Sequence, residues 1–410
     1  MDTGHLSINA DRLVRRMAEL AEYGQTPDGG VSRPAFSESD VEARRYMMNL
    51  MRHAGLNVRV DPVGNIFGRR EGTVAATGTI LFGSHIDTVP EGGLYDGALG
   101  SLGAVEVAHS LAEGGYRNRH PLGVVVWCDE ESGLTGSKGY VGELSQEAVN
   151  EPGSDGVRLA DKIRRIGGDP TRVAEAVPEP GSIAAYIELH VEQGSVLDND
   201  GTNIGVVEGF VGIDQYDVVI TGAANHAGTT PMDQRANALL PAAELVLAVE
   251  RIVKATPGDQ VGTVGAFVVS PGAPNVIPGQ VALTVELRDL DSDRLQPIWQ
   301  AILSELEEIS ERHGTSFAIQ PRQSVAGIRT DEGLCKTISQ AAEELGLTTR
   351  HMPSGAGHDA QKLASICPTG MIFVPSVDGV SHSTREYTHS DDVARGANVL
   401  LQAVLKADER

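Results

Sequence analysis

The stretch "GSHIDTVPEGGLYDGALG", Gly83–Gly100, follows the apolar run "GTILF" and carries His85, Asp87 and Asp96 among glycines. An apolar run that ends in glycine, then polar residues, then "LGSLGAVEVAHSLAEGG" with helical apolar spacing reads as strand, loop and helix. "PLGVVVWCDEE" and "IAAYIELHVEQG" repeat the β-branched run with polar residues at its end, and "GMIFVPS" adds a buried strand late in the chain. Upstream, "SDVEARRYMMNLMRHAGL" predicts a helix opening at Ser39/Asp40 and stopping near Gly55, and "NVRVDPVGNIFGRR" predicts strand, turn, strand. Apolar strands alternating with helices predict an α/β domain with a mixed, largely parallel sheet. Ligands collect at the carboxyl ends of such strands. This reading puts His85, Glu130, Glu131 and His190 there.

From about Val211 the texture changes. "DQYDVVITG", "VGTVGAFVVSPG" and "GQVALTVELRDLD" are strand-like and are separated by two helical segments, "QRANALLPAAELVLAVERIVKA" and "LQPIWQAILSELEEISERHG". That β-α-β-β-α order predicts an α+β domain at 211–325, inserted into a domain made of 1–210 and 326–410. No internal repeat or low-complexity segment is visible.

Composition narrows the function classes. With 33 basic and 56 acidic residues the formal charge is -23. So acidic a chain repels phosphate backbones and anionic lipid, which argues against nucleic acid and membrane partners. No apolar run approaches the roughly 20 residues of a membrane span. The first 24 residues, "MDTGHLSINADRLVRRMAELAEYG", read as a capped amphipathic helix without the apolar core of a signal peptide. Cys128, Cys335 and Cys367 form no pair pattern, which fits a reducing cytoplasm.

The polar groups at the strand ends are His85, Asp87, Asp96, Glu130, Glu131 and His190, joined late in the chain by His382 of "GVSHSTREYTHS". Imidazole and carboxylate suit hard or borderline divalent cations, and a two-metal site needs two ligand sets and a shared carboxylate. Each piece alone has an ordinary alternative: "GGLYDG" a turn, "DEE" a solvated loop, a histidine after a strand a structural residue. Their recurrence at successive strand ends favours a site. "GAGHDA" (Gly355–Ala360) fits a dinucleotide-type glycine pattern, but no strong strand is expected before it. A serine-nucleophile elbow and a phosphate-binding loop are both missing from the sequence.

"GSHIDTVPEGGLYDGALG", "DEES", "ELHVEQG", "NHAGTTPMDQRANAL", "PNVIPGQVALTVELRD", "SGAGHDAQ" and "GVSHSTREYT" occur together and in this order. The chain thereby closely resembles the M20-type metallo-amidases of the N-carbamoyl-L-amino acid hydrolase and allantoate amidohydrolase (hydantoinase/carbamoylase) group. "TPDGGVSRPAFSESDVEAR" and "VDPVGNIFGRR" extend the resemblance over nearly the whole chain.

The resemblance implies a centre of two divalent ions, Zn²⁺ or Mn²⁺, Co²⁺ or Ni²⁺. Asp96 would bridge them, His85 and His190 would complete one, and Glu131 and His382 the other. Glu130 would be the general base, with Asp87 orienting His85. Water held by such cations has its pKa lowered from about 15.7 towards 7, and Glu130 would carry its proton to the leaving nitrogen. The inserted domain would be a ferredoxin-like lid and dimerisation domain of a homodimer. From it His226 would stabilise the oxyanion, reaching across to the other subunit's active site, and Arg288 would clamp the substrate carboxylate. Asn275 and Gln193 would hold the amide or ureido group, and Gly357 would offer backbone to the substrate.

Two departures from the group bear on substrate. "EESGLTGSKG" is shorter than usual after the paired glutamates, and Asp214 and Gln215 stand where relatives often place basic residues. In the allantoate branch such an arginine is thought to help hold the substrate. The leading expectation is hydrolysis of an N-carbamoyl-L-amino acid to amino acid, CO2 and ammonia. Allantoate or an N-acyl amino acid is the alternative substrate. A dead relative serving as a binding module would have lost ligands or base, and none is lost.

Overall fold

The computed structural model describes residues 6–74, 78–153 and 155–410. They divide into two compact units, Met1–Glu208 with Thr330–Arg410, and Gly209–Arg329. The larger unit is built on a nine-stranded sheet. The strands of this sheet are β1 (Asn57–Val60), β2 (Ile66–Arg70), β3 (Thr79–His85), β4 (Leu122–Trp127), β5 (Ile183–Val191), β6 (Ile204–Phe210), β13 (Ile328–Arg329), β14 (Thr349–Ser354) and β15 (Thr369–Val374), of which β13 and the last two residues of β6 fall within Gly209–Arg329. The spatial order is β1-β2-β4-β3-β5-β15-β6-β13, with β14 paired to β6.

The middle four strands, β4, β3, β5 and β15, run parallel. Antiparallel pairs flank them. The sheet is therefore mixed with a parallel centre. β3, β4 and β15 are buried along their whole length because helices cover both faces, which is why they read as unbroken apolar runs. Leu99, Leu102 and Val105 of helix Ala98–Glu113 and Val393, Leu400 and Val404 of helix Ser390–Asp408 enter one core with Phe82, Leu189 and Ile372.

Two local expectations shift. Helix Glu38–His53 is capped two residues before Ser39, by Ser37, whose side chain accepts from the Asp40 amide. The Asp40 carboxylate turns back to accept from the Phe36 amide at 2.8 Å. At "GAGHDA" a strand, β14, does come before the glycines, and helix Asp359–Leu363 follows. β14 is "TRHMPS", half-exposed and paired only with β6, so it lacks the apolar signature of a central strand. The N-terminal helix runs Ala10–Ala21 with Asn9 as cap, and residues 1–5 of its expected stretch lie outside the described residues. Among the described residues no helix is long and apolar enough to cross a membrane.

The smaller unit holds β7 (Gly212–Thr221), β9 (Val261–Ser270), β11 (Gln280–Asp289) and β12 (Ser316–Val325) in one antiparallel sheet ordered β12-β7-β11-β9. Counted along the chain, the spatial order is fourth, first, third, second, the ferredoxin-like arrangement of a β-α-β-β-α-β chain. A short pair, β8 (Asn225–His226) with β10 (Val276–Ile277), stands apart. Alternate residues of β7 and β11, among them Val218, Ile220, Leu283 and Val285, pack on Leu245 and Val249 of helix Leu239–Ala255 and on Ile298 and Ile302 of helix Leu295–Arg312. β12 escapes the sequence reading for a physical reason. It is an exposed edge strand, and it tolerates Pro321 at a register shift, a residue that argues against a central strand.

Candidate metal centre

His85 is the last residue of β3, and His190 stands one before the end of β5. Both side chains are fully buried. Glu130 and Glu131 open the short helix Glu130–Gly133 after β4, and His382 lies in the loop after β15 with a φ of 53°. Asp96 immediately precedes Gly97, the cap of helix Ala98–Glu113. Gly97 has a φ of 60°, and a Cβ there would lie 2.3 Å from the His85 ring, so only glycine brings this helix end against the imidazole.

Asp96 faces two ways. Its Oδ1 is 3.4 Å from His85 Nε2 and 3.1 Å from His190 Nε2, while its Oδ2 is 3.4 Å from His382 Nε2. His382 Nε2 is in turn 3.3 Å from Glu131 Oε2. The donor atoms of His85, Asp96 and His190 lie within 4.8 Å of one another, and so do those of Asp96, Glu131 and His382. The imidazoles are poised as ligands. His85 Nδ1 points at the Asp87 carbonyl oxygen at 3.1 Å, and His190 Nδ1 at that of Val191 at 2.9 Å. Facing a carbonyl oxygen, each Nδ1 acts as the donor, so Nε2 is the acceptor: that of His85 faces Asp96, and that of His190 faces Asp96 and accepts from the Gly97 amide at 3.3 Å. Buried His85 Nε2 has no hydrogen-bond partner among the described residues. An all-imidazole and carboxylate donor set with an orphaned buried nitrogen fits divalent cations.

The electrostatics agree with this arrangement. Burial alone would raise the Asp96 carboxyl, but His190, His382 and His85 outweigh it and hold it well below the usual range. Burial pushes Glu130 well above that range and Glu131 up to about 7. Contact with Asp96 raises His382 to about 9. Glu130 belongs to neither donor group. Its Oε2 is 3.7 Å from His85 Nε2 and its Oε1 3.7 Å from His358 Nδ1.

The Asp87 carboxylate accepts from the backbone amides of Glu130 (3.3 Å) and Glu131 (3.2 Å) and stands 3.7 Å from His85 Nδ1. It orients the paired glutamates at least as directly as the ring. Gln193, at a φ of 61°, donates from Nε2 to Asp96 Oδ2 at 2.7 Å. Gly357 sits in the loop after β14 with little crowding around it. The shortened stretch after Glu131 folds into helices Glu130–Gly133 and Thr135–Val141.

In the smaller unit, His226 pairs across β8–β10 with Val276, and the Ala227 amide donates to the Asn275 carbonyl oxygen at 3.0 Å. The structure thus brings His226 and Asn275 together, on an exposed loop. Arg288, on β11, donates from Nε to Glu286 at 2.7 Å, and Gln215 of β7 bonds the other oxygen of Glu286. Asp214 is buried, accepting from Ser324 Oγ at 2.6 Å and Gln296 Nε2 at 3.3 Å.

Sequence reasoning missed three supporting groups, two of them buried. Glu188 accepts from Ser84 Oγ (2.6 Å), Tyr186 Oη (3.0 Å) and the Ala360 amide (3.1 Å). The ring of His358 is 4.5 Å from that of His190, and burial holds its imidazole well below the ordinary range. Arg235 braces the His226 loop by donating to the Ala227 and Thr230 carbonyl oxygens. Glu188 and His358 lie inside "ELHVEQG" and "SGAGHDAQ", but a residue type alone does not reveal that it will be buried.

The model of peptidase family M20/M25/M40 matches residues 81–406. An N-carbamoyl-L-amino acid amidohydrolase of Geobacillus stearothermophilus is 40% identical over 402 residues, covering 97% of this chain and 98% of its own. A ureidoglycolate hydrolase of Oryza sativa subsp. japonica is 35% identical over 412 residues, covering 97% and 85%. The crystal structure of a hydantoinase/carbamoylase family amidase from Burkholderia multivorans matches with a TM-score of 0.93 at 36% identity, covering 99% of each chain. This chain is an amidohydrolase of peptidase family M20/M25/M40, in its hydantoinase/carbamoylase branch.

Proposed function

We propose that the protein hydrolyses the ureido C–N bond of an N-carbamoyl-L-amino acid, giving amino acid, CO2 and ammonia. The observation that carries this is the Asp96 carboxylate, with one oxygen facing His85 and His190 and the other facing His382, while Glu130 stands beside it outside both donor groups. His85, Asp96 and His190 would hold one divalent ion, and Asp96, Glu131 and His382 a second. Bound there, the ions supply Lewis acidity that polarises the ureido carbonyl and lowers the pKa of water. Glu130 takes the proton of the attacking water and returns it to the leaving nitrogen, a task suited to a carboxyl raised by burial. Gln193 and Asn275 hold the ureido group, Gly357 offers backbone, His226 stabilises the oxyanion and Arg288 pairs with the substrate carboxylate.

Both candidate substrates carry a single carboxylate, and an N-carbamoyl amino acid is favoured over allantoate by what stands on β7, the strand paired with that of Arg288. Where a further cation would help hold allantoate, this chain has Asp214 and Gln215, both committed to hydrogen bonds within the sheet. The unit 209–329 serves in this reading as lid and dimerisation domain. Its edge strand β9 exposes Val261, Phe267 and Val268, a surface suited to a second copy of the chain. Val268→Lys should then shift the protein towards monomer in sedimentation. The reading also places the enzyme in the cytoplasm, in keeping with three unpaired cysteines.

The test is a screen of N-carbamoyl, N-acetyl and N-formyl amino acids and allantoate, with Mn²⁺, Co²⁺, Ni²⁺ or Zn²⁺ returned to chelated protein. Ammonia release from carbamoyl amino acids alone is expected. Turnover of only acyl substrates would overturn the ureido assignment.

A further inference from the structure

Glu386 follows the His382 segment and plays no part in the reaction described above. It is 4% exposed. Its Oε1 accepts from the backbone amides of Tyr95 and Asp96, both at 3.0 Å, across about 290 positions of sequence. Its Oε2 accepts from Ser381 Oγ at 3.0 Å, and the same hydroxyl lies 3.2 Å from Asp96 Oδ2. The carboxylate is thus bound to the backbone of Asp96 and, through Ser381, to its side chain. The fit is close on the other side as well. A Cβ at Gly93 would come 2.2 Å from Glu386 Oε1 and 2.4 Å from its Cβ, so the loop wraps the glutamate only because position 93 is glycine. The rings of Tyr95 and Tyr387 meet edge to face at 5.9 Å and tie the same two segments again.

We propose that Glu386, with Ser381, is a positioning residue that locks the Asp96 loop to the His382 segment and so sets the geometry of both halves of the metal centre. The inference rests on the reading of that centre given above. Three features separate it from a merely buried glutamate. Both carboxylate oxygens are engaged by donors, so Glu386 orients a ligand and is not itself one. The amide it holds is that of the residue shared by both donor groups. Its anchor, Ser381, is the immediate neighbour of His382. Loss of the clamp should therefore weaken both cation-binding steps together, since Asp96 serves each.

The experiment is equilibrium binding of Zn²⁺ and of Mn²⁺ to the chelated full chain, by chelator competition, for wild type, Glu386→Ala, Glu386→Gln and Ser381→Ala. Outer partners of metal ligands are worth roughly 10–100-fold in affinity. Glu386→Ala should lose about that much in both steps. Glu386→Gln, which keeps an acceptor for the two amides, should lose less than about tenfold by the same measure. Ser381→Ala should lose a few-fold, and it tests the same link should the alanine variant at 386 not fold. A core variant matched in melting temperature, Leu400→Ala, should keep wild-type affinity. The clamp is refuted if the 386 and 381 variants bind both equivalents as wild type does, or if the Leu400 variant loses as much. Wild-type protein that binds neither ion would instead overturn the reading of the centre, and the clamp with it.

Discussion

The two units hold their polar groups in opposite ways. At the candidate metal centre, His85 and His190 are fully buried and face nearby backbone carbonyl oxygens, while Asp87 and Glu386, nearly as buried, hold backbone amides from distant parts of the chain. In the smaller unit His226 lies on an exposed loop, and Arg288 is about 30% exposed, paired with a glutamate two residues away. Buried groups held by backbone cannot turn without breaking several bonds, so their geometry is set before anything binds. An arginine on a solvated sheet face can exchange one carboxylate for another at small cost. In the function proposed above, the rigid groups are those asked to handle the water and its proton, and the exchangeable one, Arg288, is asked to pair with the substrate carboxylate.

Substitutions at four positions test that division. The largest effect is expected from Glu130→Gln, which should lower kcat by about 10²–10⁴-fold with bound metal unchanged, read by ammonia release and metal analysis. Activity that survives it on every ureido and acyl substrate would remove Glu130 as the proton carrier. Arg288→Ala should raise KM by roughly 10–100-fold and leave kcat nearly intact, as expected for loss of a charged hydrogen bond made equally in ground and transition states. A fall in kcat instead would break the division, and Arg288→Lys should restore only part of the affinity. Asp87→Asn should weaken cation affinity about tenfold, since it removes one charged acceptor from the Glu130–Glu131 turn. A titration that matches wild type would show that this turn needs no such anchor. Smallest is Glu286→Gln, which relieves the competition of Glu286 with a substrate carboxylate for Arg288. It should lower KM by no more than about fivefold, the scale of an exposed ion pair. A rise in KM would show Glu286 to be a support for the arginine.

The sequence was most informative where burial on both faces writes itself as an apolar run. β3, β4, β5 and β15 are all foreseen, and with them the strand ends that carry His85, Glu130, Glu131 and His190. It was least informative at the edges. β12 with its proline and β14 with its polar residues carry little apolar signal, because a strand paired on one side and wet on a face has little to bury. Neither strand supplies a residue of the centre, which is why the site could be foreseen without them.

The sequence by itself determined the chemistry available: imidazole and carboxylate at successive strand ends, one spare glutamate, and no thiolate among them. It also determined the α/β order, since the period of apolar residues follows directly from which faces are buried. Only the tertiary structure decided direction and support. It turned the two oxygens of Asp96 to opposite sides and set a backbone carbonyl oxygen against Nδ1 of His85 and of His190. It also brought Glu386 back across about 290 positions to hold the Asp96 amide. Such pairings depend on where distant segments meet once the core has closed, and the local pattern around a residue carries no record of that.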